Sequence, residues 1–374
     1  MKTEKRYLWP SDYMADPSVH VFDGKLYIYP SHDWESGIPD DDFGSEYDMK
    51  DYHVLSLEGP DPMSSPVKDN GVALKREDVA WAGRQLWDCD VARKDGKYYL
   101  YFPMKDKNDV FHFGVAVADN PCGPFVPQPD PMRGSYSIDV CVYEEDGEHF
   151  FYFGGIWGGQ LQRYRDNKAL DTGSTLPKDD EPALCAKVAK LSGDMLQFAE
   201  EPRDVVILDE NGQPLLAGDN SRRFFEASWM HKYNGKYYFS YSTGDTHLLC
   251  YAIGDNPYGP FTYKGQILTP VVGWTTHHCI VEYEGKWWLF HHDSVPSKGV
   301  NCLRSLKVCE LKYNEDGTIV TIDGIDEESS IGIIQNRPPI AGGLFCNVSG
   351  LYLSLLPLRV MLLWRPLMMN SRPA

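Results

Sequence analysis

Short runs in which apolar and polar side chains alternate recur along most of the chain, and one arrangement of them appears five times. An alternating run ends in an acidic residue or Asn followed by Gly, and a second run rich in aromatic side chains follows. The copies are VHVFDGKLYIYP around Gly24, VARKDGKYYLYFP around Gly96, VYEEDGEHFFYFG around Gly147, MHKYNGKYYFSYS around Gly235 and VEYEGKWWLFHH around Gly285. Asp-Gly or Asn-Gly between two runs of period two predicts a hairpin, because the tight turn needs positive φ. The glycines are 72, 51, 88 and 50 residues apart, the size of a propeller blade with insertions in the first and third intervals. A second repeat, ADNPCGPF at 118–125 and GDNPYGPF at 254–261, follows an alternating run each time and predicts an outer turn of a blade. No long helical pattern is evident. The expected fold is all-β, a five-bladed β-propeller over residues 1–325; a β-sandwich or a propeller of six or seven blades is the alternative.

Composition agrees with many short strands and turns: aromatics make up 13% of the 374 residues, Tyr counts 23, and Gly and Pro count 33 and 26. A net charge of -18 repels phosphate backbones, so nucleic acid is not an expected partner, whereas neutral sugars are indifferent to the field. Nine cysteines without a Cys-x-x-Cys pair give neither zinc spacing nor a complete disulfide framework. They read as buried thiols of a reducing compartment. The opening MKTEKRYLWPSDY has no apolar run behind its basic residues, so the localisation expected from this chain is cytoplasmic.

The candidate chemistry lies just upstream of each hairpin glycine. Asp16, Asp90, Asp139, Glu226 and His277 precede Gly24, Gly96, Gly147, Gly235 and Gly285 by eight, six, eight, nine and eight residues. In a propeller the innermost strands line the central channel, so equivalent positions converge on one end of the axis. Turn starters, turn caps or a paired core acid would explain any one of them; recurrence in phase favours a shared funnel. Several carboxylates buried together suit glycoside hydrolysis, in which a protonated acid serves the leaving oxygen and a carboxylate activates water. A third carboxylate raises the acid's pKa by repulsion.

The segments YMADPSVHVFDGKLYIYPSHD, GSYSIDVCVYEEDG, RFFEASWMHKYNGKYYFSYS and THHCIVEYEGKWWLFHHDS resemble glycoside hydrolase family 43, in order and from about residue 8 to residue 320. The likeness is to the β-xylosidases and α-L-arabinofuranosidases of gut and rumen Bacteroidetes. It implies a five-bladed propeller and an inverting single displacement, with base and acid carboxyls about 6.5–9.5 Å apart. It assigns Asp16 as general base, Asp139 as the carboxylate that tunes and orients the acid, and Glu226 as general acid. His277 matches an axial histidine that approaches a hydrated calcium ion, a structural ion at the propeller axis; no other cofactor is implied. Trp87 and Trp157 match aromatic walls of the first sugar pocket, and Arg304 matches an arginine that contacts sugar hydroxyls. Two departures stand out: Ile138-Asp139-Val140 lacks the usual Pro, and Trp87-Asp88-Cys89-Asp90 replaces the frequent Trp-Ala-Pro-Asp.

The function that follows is an exo-acting inverting hydrolase that releases terminal xylose from β-1,4-xylo-oligosaccharides and also cleaves α-L-arabinofuranosides. An endo-arabinanase would need an open groove; the insertions at 31–80 and 155–220 favour a pocket. A fructan-type propeller hydrolase would start Asn-Asp-Pro-Asn where this chain has Met14-Ala15-Asp16-Pro17. A propeller lectin would repeat one binding residue in every blade. Residues 329–374 carry no Asp or Glu although the chain has 54, and the tail from 326 reads as irregular or as an out-of-frame continuation. Its longest uncharged span, 338–358, is broken by Pro and Gly, so a membrane anchor is not expected.

Overall fold

A computed structural model describes residues 3–164 and 176–325. The expected tail lies outside the described residues. All five predicted hairpins are present with two-residue turns. Each turn has positive φ at both positions: Asp23-Gly24, Asp95-Gly96, Asp146-Gly147, Asn234-Gly235 and Glu284-Gly285. The flanking pairs Phe22–Lys25, Lys94–Lys97, Glu145–Glu148, Tyr233–Lys236 and Tyr283–Lys286 set the register. This is the turn whose twist matches that of the strands it joins, and Gly is favoured at its second position for that reason.

Each hairpin heads an antiparallel meander, and hydrogen bonding gathers the meanders into four sheets. One sheet runs Asp90–Lys94, Lys97–Asp106, Phe111–Ala118 and Val126–Pro127, with Ala82–Leu86 added on the second strand. Another runs Cys141–Glu145, Glu148–Phe153, Lys187–Lys190 and Arg203–Asp204. A third runs Glu226–Tyr233, Lys236–Ser242, Leu249–Gly254 and Phe261–Leu268, with Ile207–Leu208 parallel at its edge. The largest holds two meanders. Met14–Phe22 leads to Lys25–His32, Asp51–Leu57 and Val67–Lys75, and His278–Tyr283 leads to Lys286–Asp293 and Ser305–Leu311. In the strand pairing of the described residues these two are joined through the parallel bridge Met14–Ser305. The N-terminal strand Lys5–Tyr7 pairs with Lys307–Cys309, so the last meander is completed by the start of the chain.

The first strands of the five meanders touch in cyclic order. Met14–Phe22 contacts Asp90–Lys94, which contacts Cys141–Glu145, then Glu226–Tyr233, then His278–Tyr283, which returns to Met14–Phe22. Asp90 laces this ring. Fully buried, it accepts hydrogen bonds from Ser18 Oγ (2.5 Å), its own neighbour Val91 N (2.8 Å) and Val142 N (2.6 Å), and it pairs with His20 Nε2 (2.5 Å). It therefore ties three first strands together and does not enter the funnel in which its phase placed it.

The aromatic second strands supply the core. Tyr29, Tyr101, Tyr152 and Tyr238 are buried, yet each hydroxyl reaches a carbonyl of a neighbouring turn: Pro121, Met195, Pro257 and Gly317, at 2.6–2.9 Å. The ring contributes apolar area while the polar tip stays satisfied. The two predicted outer turns are alike. Asn120 and Asn256 each accept from the amide two residues on and donate to the carbonyl of Gly123 or Gly259.

Candidate active site

The sequence-selected acids Asp16, Asp139 and Glu226 are brought together at the heads of the first strands. Asp16 and Glu226 occupy matching irregularities. Pairing skips between Ala15 and Ser18 in one strand and between Glu226 and Trp229 in another. Such bulges re-aim side chains at the end of a ladder. The backbone is left-handed at Asp16 (φ 46°), Asp139 (φ 62°) and Ala227 (φ 62°), none of them glycine. Strained conformations of this kind persist only where the surroundings over-determine them. At Asp139 the surroundings are explicit. Ala227 N donates to Asp139 Oδ2 (2.6 Å), and Gly154 N donates to Ile138 O (2.7 Å). Gly155 packs so closely on Ile138 that a Cβ there would lie 2.5 Å from Ile138 Cδ1.

The Asp16 side of the site holds a cation. Arg304 Nη1 donates to Asp16 Oδ1 (2.7 Å), Asp16 N donates to His292 Nδ1 (3.1 Å), and His277 Nδ1 is 3.8 Å from Asp16 Oδ1. Burial alone would raise the Asp16 pKa. Arg304, with His292 and His277, outweighs it and holds the carboxyl at about 2. Arg304 is itself clamped by Asp33, which takes Nε and Nη2 in a two-pronged pair at 2.8 Å each and the Arg304 amide at 2.9 Å. Thr275 Oγ1 takes Nη1 at 3.2 Å. Arg304, expected to contact sugar hydroxyls, has four of its five N–H donors on protein oxygens: two on Asp33, one on Asp16 and one on Thr275. His292 stays neutral: burial first, and the Arg304 charge second, press its pKa down to about 3.

The Glu226 side lacks such a cation. Glu226 is only partly covered, and its pKa is raised well above the ordinary value by burial, then by Asp139 and Asp16. Asp139 is raised too, chiefly by burial. A further acid sits here that in-phase counting missed. Asp88, two residues before Asp90, is 3% exposed, and its pKa is raised well above the usual range by burial and by the neighbouring Asp139. The signal that could have found it was the strand period: Asp88 and Asp90 share parity, and only the start of the strand at Asp90 decides which of them enters the ladder.

The His277–His278 pair divides by the same alternation. His277 faces Asp16, whereas His278 is fully buried, with Nε2 2.6 Å from Ser240 Oγ. Donor atoms of Asp88, Asp139 and His277 all lie within 4.8 Å of one another, and Asp88 Oδ2 is buried without a partner. Two carboxylates and an imidazole with an orphaned oxygen fit a divalent cation.

Aromatic side chains rim the site. Trp157 stacks on Trp274 (centroids 6.1 Å, 19°) and meets Phe225 edge-on (5.5 Å) beside Glu226. Trp87 is pinned by Nε1 to Tyr47 O (2.7 Å) and packs on Phe111 (4.8 Å). The Arg304 guanidinium lies 4.9 Å from the Tyr47 ring centroid, and the Tyr47 hydroxyl is buried without a partner. The segment Phe43-Gly44 bridges the two tryptophans: a Cβ on Gly44 would lie 3.0 Å from the Trp87 ring, and one on Gly158 2.6 Å from Phe43 O. Sequence reasoning chose Trp87 and Trp157 but missed Phe43, Tyr47, Trp274 and Asp33, which lie in loops without periodicity. A separate cleft lined by Pro182, Cys185, Leu215 and Phe224 brings none of the three acids together.

Comparison with known proteins follows the same line. The model for glycosyl hydrolases family 43 matches residues 67–319. The chain is 70% identical to a xylosidase/arabinosidase of Bacteroides ovatus over 87% of this chain and 100% of that protein. It is 64% identical to a beta-xylosidase of Xylanibacter ruminicola, covering 85% of this chain and 99% of that one. Among solved structures, RS223-Beta-xylosidase is 68% identical with a TM-score of 0.84, covering 86% of this chain and 98% of that one. CoXyl43, a GH43 beta-xylosidase/alpha-arabinofuranosidase from a compost metagenome, solved with xylotriose in a calcium-free form, is 57% identical with a TM-score of 0.84 over 87% and 99%. This chain is a glycosidase that belongs to glycosyl hydrolase family 43.

Proposed function

We propose that the chain is an exo-acting, inverting β-xylosidase with α-L-arabinofuranosidase activity, whose residues 1–325 form a five-bladed β-propeller. The closed cycle of five first strands supports the architecture. The names of the 70% and 64% identical relatives support the substrate class. The observation that carries the mechanism is the contrast between two carboxyls of one site: Asp16 held ionised by Arg304, and Glu226 pressed toward its protonated form.

In this reading Asp16 takes a proton from a water that attacks the anomeric carbon, and Glu226 gives its proton to the departing glycosidic oxygen. A single displacement inverts the anomeric centre and requires room for that water, about 6.5–9.5 Å between the carboxyls. Asp139 raises the Glu226 pKa and, through the Ala227 amide, holds the bulge that aims it. Trp157, Trp274 and Trp87 offer faces to the C–H side of a pentose. Phe43-Gly44, lying between two of them, closes one end of the space and favours a pocket over a through-groove. A divalent cation such as Ca2+ would be held by Asp88, Asp139 and His277, where it supplies fixed positive charge beside the paired acids. No disulfide joins the eight described cysteines, which supports action in a reducing compartment, the cytoplasm.

A panel of nitrophenyl glycosides tests this. The xyloside and arabinofuranoside are hydrolysed, with and without chelator, and the glucoside is not. Turnover of the glucoside ahead of both pentosides would overturn the substrate assignment.

A further inference from the structure

Where the second and third strands of the Met14–Phe22 meander end and begin lies a second group of metal-ligating side chains, none of them a proposed catalytic acid. Donor atoms of His32, Asp51 and His53 lie within 4.8 Å of one another, and the two imidazole rings meet edge to face at 4.6 Å. His53 has a carboxylate on one nitrogen, and His32 lies between two. His53 Nδ1 is 2.8 Å from Asp69 Oδ2, and His32 Nε2 is 3.2 Å from Asp12 Oδ2. If these two nitrogens carry protons, His53 Nε2 is left as a bare lone pair, while His32 Nδ1, 2.5 Å from Asp51 Oδ1, shares a proton with that oxygen that an ion would have to displace. A carboxylate behind each ligating histidine is the arrangement that fixes its tautomer and raises its basicity toward a metal.

We propose that His32, Asp51 and His53 form a binding site for a divalent transition metal such as Zn2+, with Asp69 and Asp12 as supporting carboxylates. Two imidazoles and one carboxylate suit Zn2+ better than Ca2+, and water would complete four-coordination. Tetrahedral bonds of zinc length put ligands about 3.4 Å apart, so His32 Nδ1 and Asp51 Oδ1, now 2.5 Å apart, would open by about an ångström to admit the ion while His53 closes on it. Charge points the same way. With both imidazoles neutral, Asp12, Asp51 and Asp69 bring three negative charges to the cluster, and a dication or protons must balance them.

Position gives the site a consequence. His32 ends one strand and Asp51 begins the next, so the pair flanks the whole connection 33–50. That connection carries Asp33, which clamps Arg304, and Tyr47 beneath it, as well as Phe43-Gly44 at the rim. A metal at its base would staple both ends of the loop that forms one wall of the pocket. The inference stands on this cluster alone and does not depend on which pentoside is cleaved.

The test is a Zn2+ titration of chelator-treated His277→Ala protein, whose axial cation set has lost its imidazole, against a chromophoric chelator. One equivalent of Zn2+ is expected to bind. Adding His53→Ala abolishes it, and adding Asp69→Asn weakens it tenfold or more. Amide hydrogen exchange over 33–50 slows with Zn2+ in the parent and not in the His53→Ala protein, a readout that separates a local staple from general destabilisation. If no Zn2+ is retained by the His277→Ala protein, or if the retained ion is indifferent to both second substitutions, the cluster is an imidazole–carboxylate network only and the proposal fails.

Discussion

The two walls of the site are built from the same material and behave in opposite ways. Both place a buried carboxyl on a left-handed or bulged residue at the head of a first strand. On one wall Asp16 meets a guanidinium held by Asp33, with a neutral His292 accepting from its amide. On the other, Glu226, Asp139 and Asp88 face one another with no arginine or lysine bonded to their carboxyls among the described residues. Burial pushes every one of these acids toward neutrality, and only Asp16 has a cation strong enough to reverse the push. One site can therefore hold one carboxyl kept ionised and another pressed toward protonation, the pairing that the proposed general acid–base hydrolysis needs.

The contrast breaks most sharply at Arg304. Arg304→Met leaves Asp33 buried without its partner, a defect of about 3–5 kcal/mol in unfolding free energy. It also frees the Asp16 pKa to rise, so kcat/KM acquires an acid limb absent from the parent. Denaturant melts and pH–rate profiles of the two proteins measure both effects. The Glu226 wall is probed by Glu226→Gln. A folded-state pKa raised above the unfolded value contributes stability below the unfolded pKa that is lost as pH rises through the folded pKa. The Gln side chain does not titrate. The Tm difference between variant and parent should therefore grow in the variant's favour from pH 5 to pH 8, while turnover falls roughly 10²–10⁴-fold. The smallest effect is expected of Asp88→Asn: the ratio of rates with and without added Ca2+ falls to unity, and any cation response that persists removes Asp88 from the ion's ligands.

Much of the fold was legible because hairpin turns with positive φ leave a local mark in the sequence. Asp23-Gly24, Asp95-Gly96, Asp146-Gly147, Asn234-Gly235 and Glu284-Gly285 all turned where they were expected to. Asp16, Asp139 and Glu226 were legible because they ride on those turns at near-constant distance. Asp90 shows the limit of that reasoning. Its phase was right for the strand and wrong for the funnel, since strand parity alone does not say which of Asp88 and Asp90 ends in the ladder and which ends in the site. Asp33 and Tyr47 were invisible for a different reason. They lie in a connection with no period, and their roles exist only through Arg304, 271 residues from Asp33 in sequence. Arg304 itself was picked for the sugar; its bonds to Asp33 and Asp16, which join three distant parts of the chain, left no mark in the sequence.

The division of labour between the two walls is tested most directly by leaving-group dependence. kcat/KM of Asp16→Ala and Glu226→Ala is measured on xylosides whose phenol departs easily or with difficulty, dinitrophenyl against phenyl. If Glu226 supplies the proton, its loss is nearly silent on the dinitrophenyl xyloside and severe on the phenyl one, while loss of Asp16 is severe on both. Equal losses on both substrates for Glu226→Ala, or a leaving-group dependence that follows Asp16 instead, would contradict the assignment.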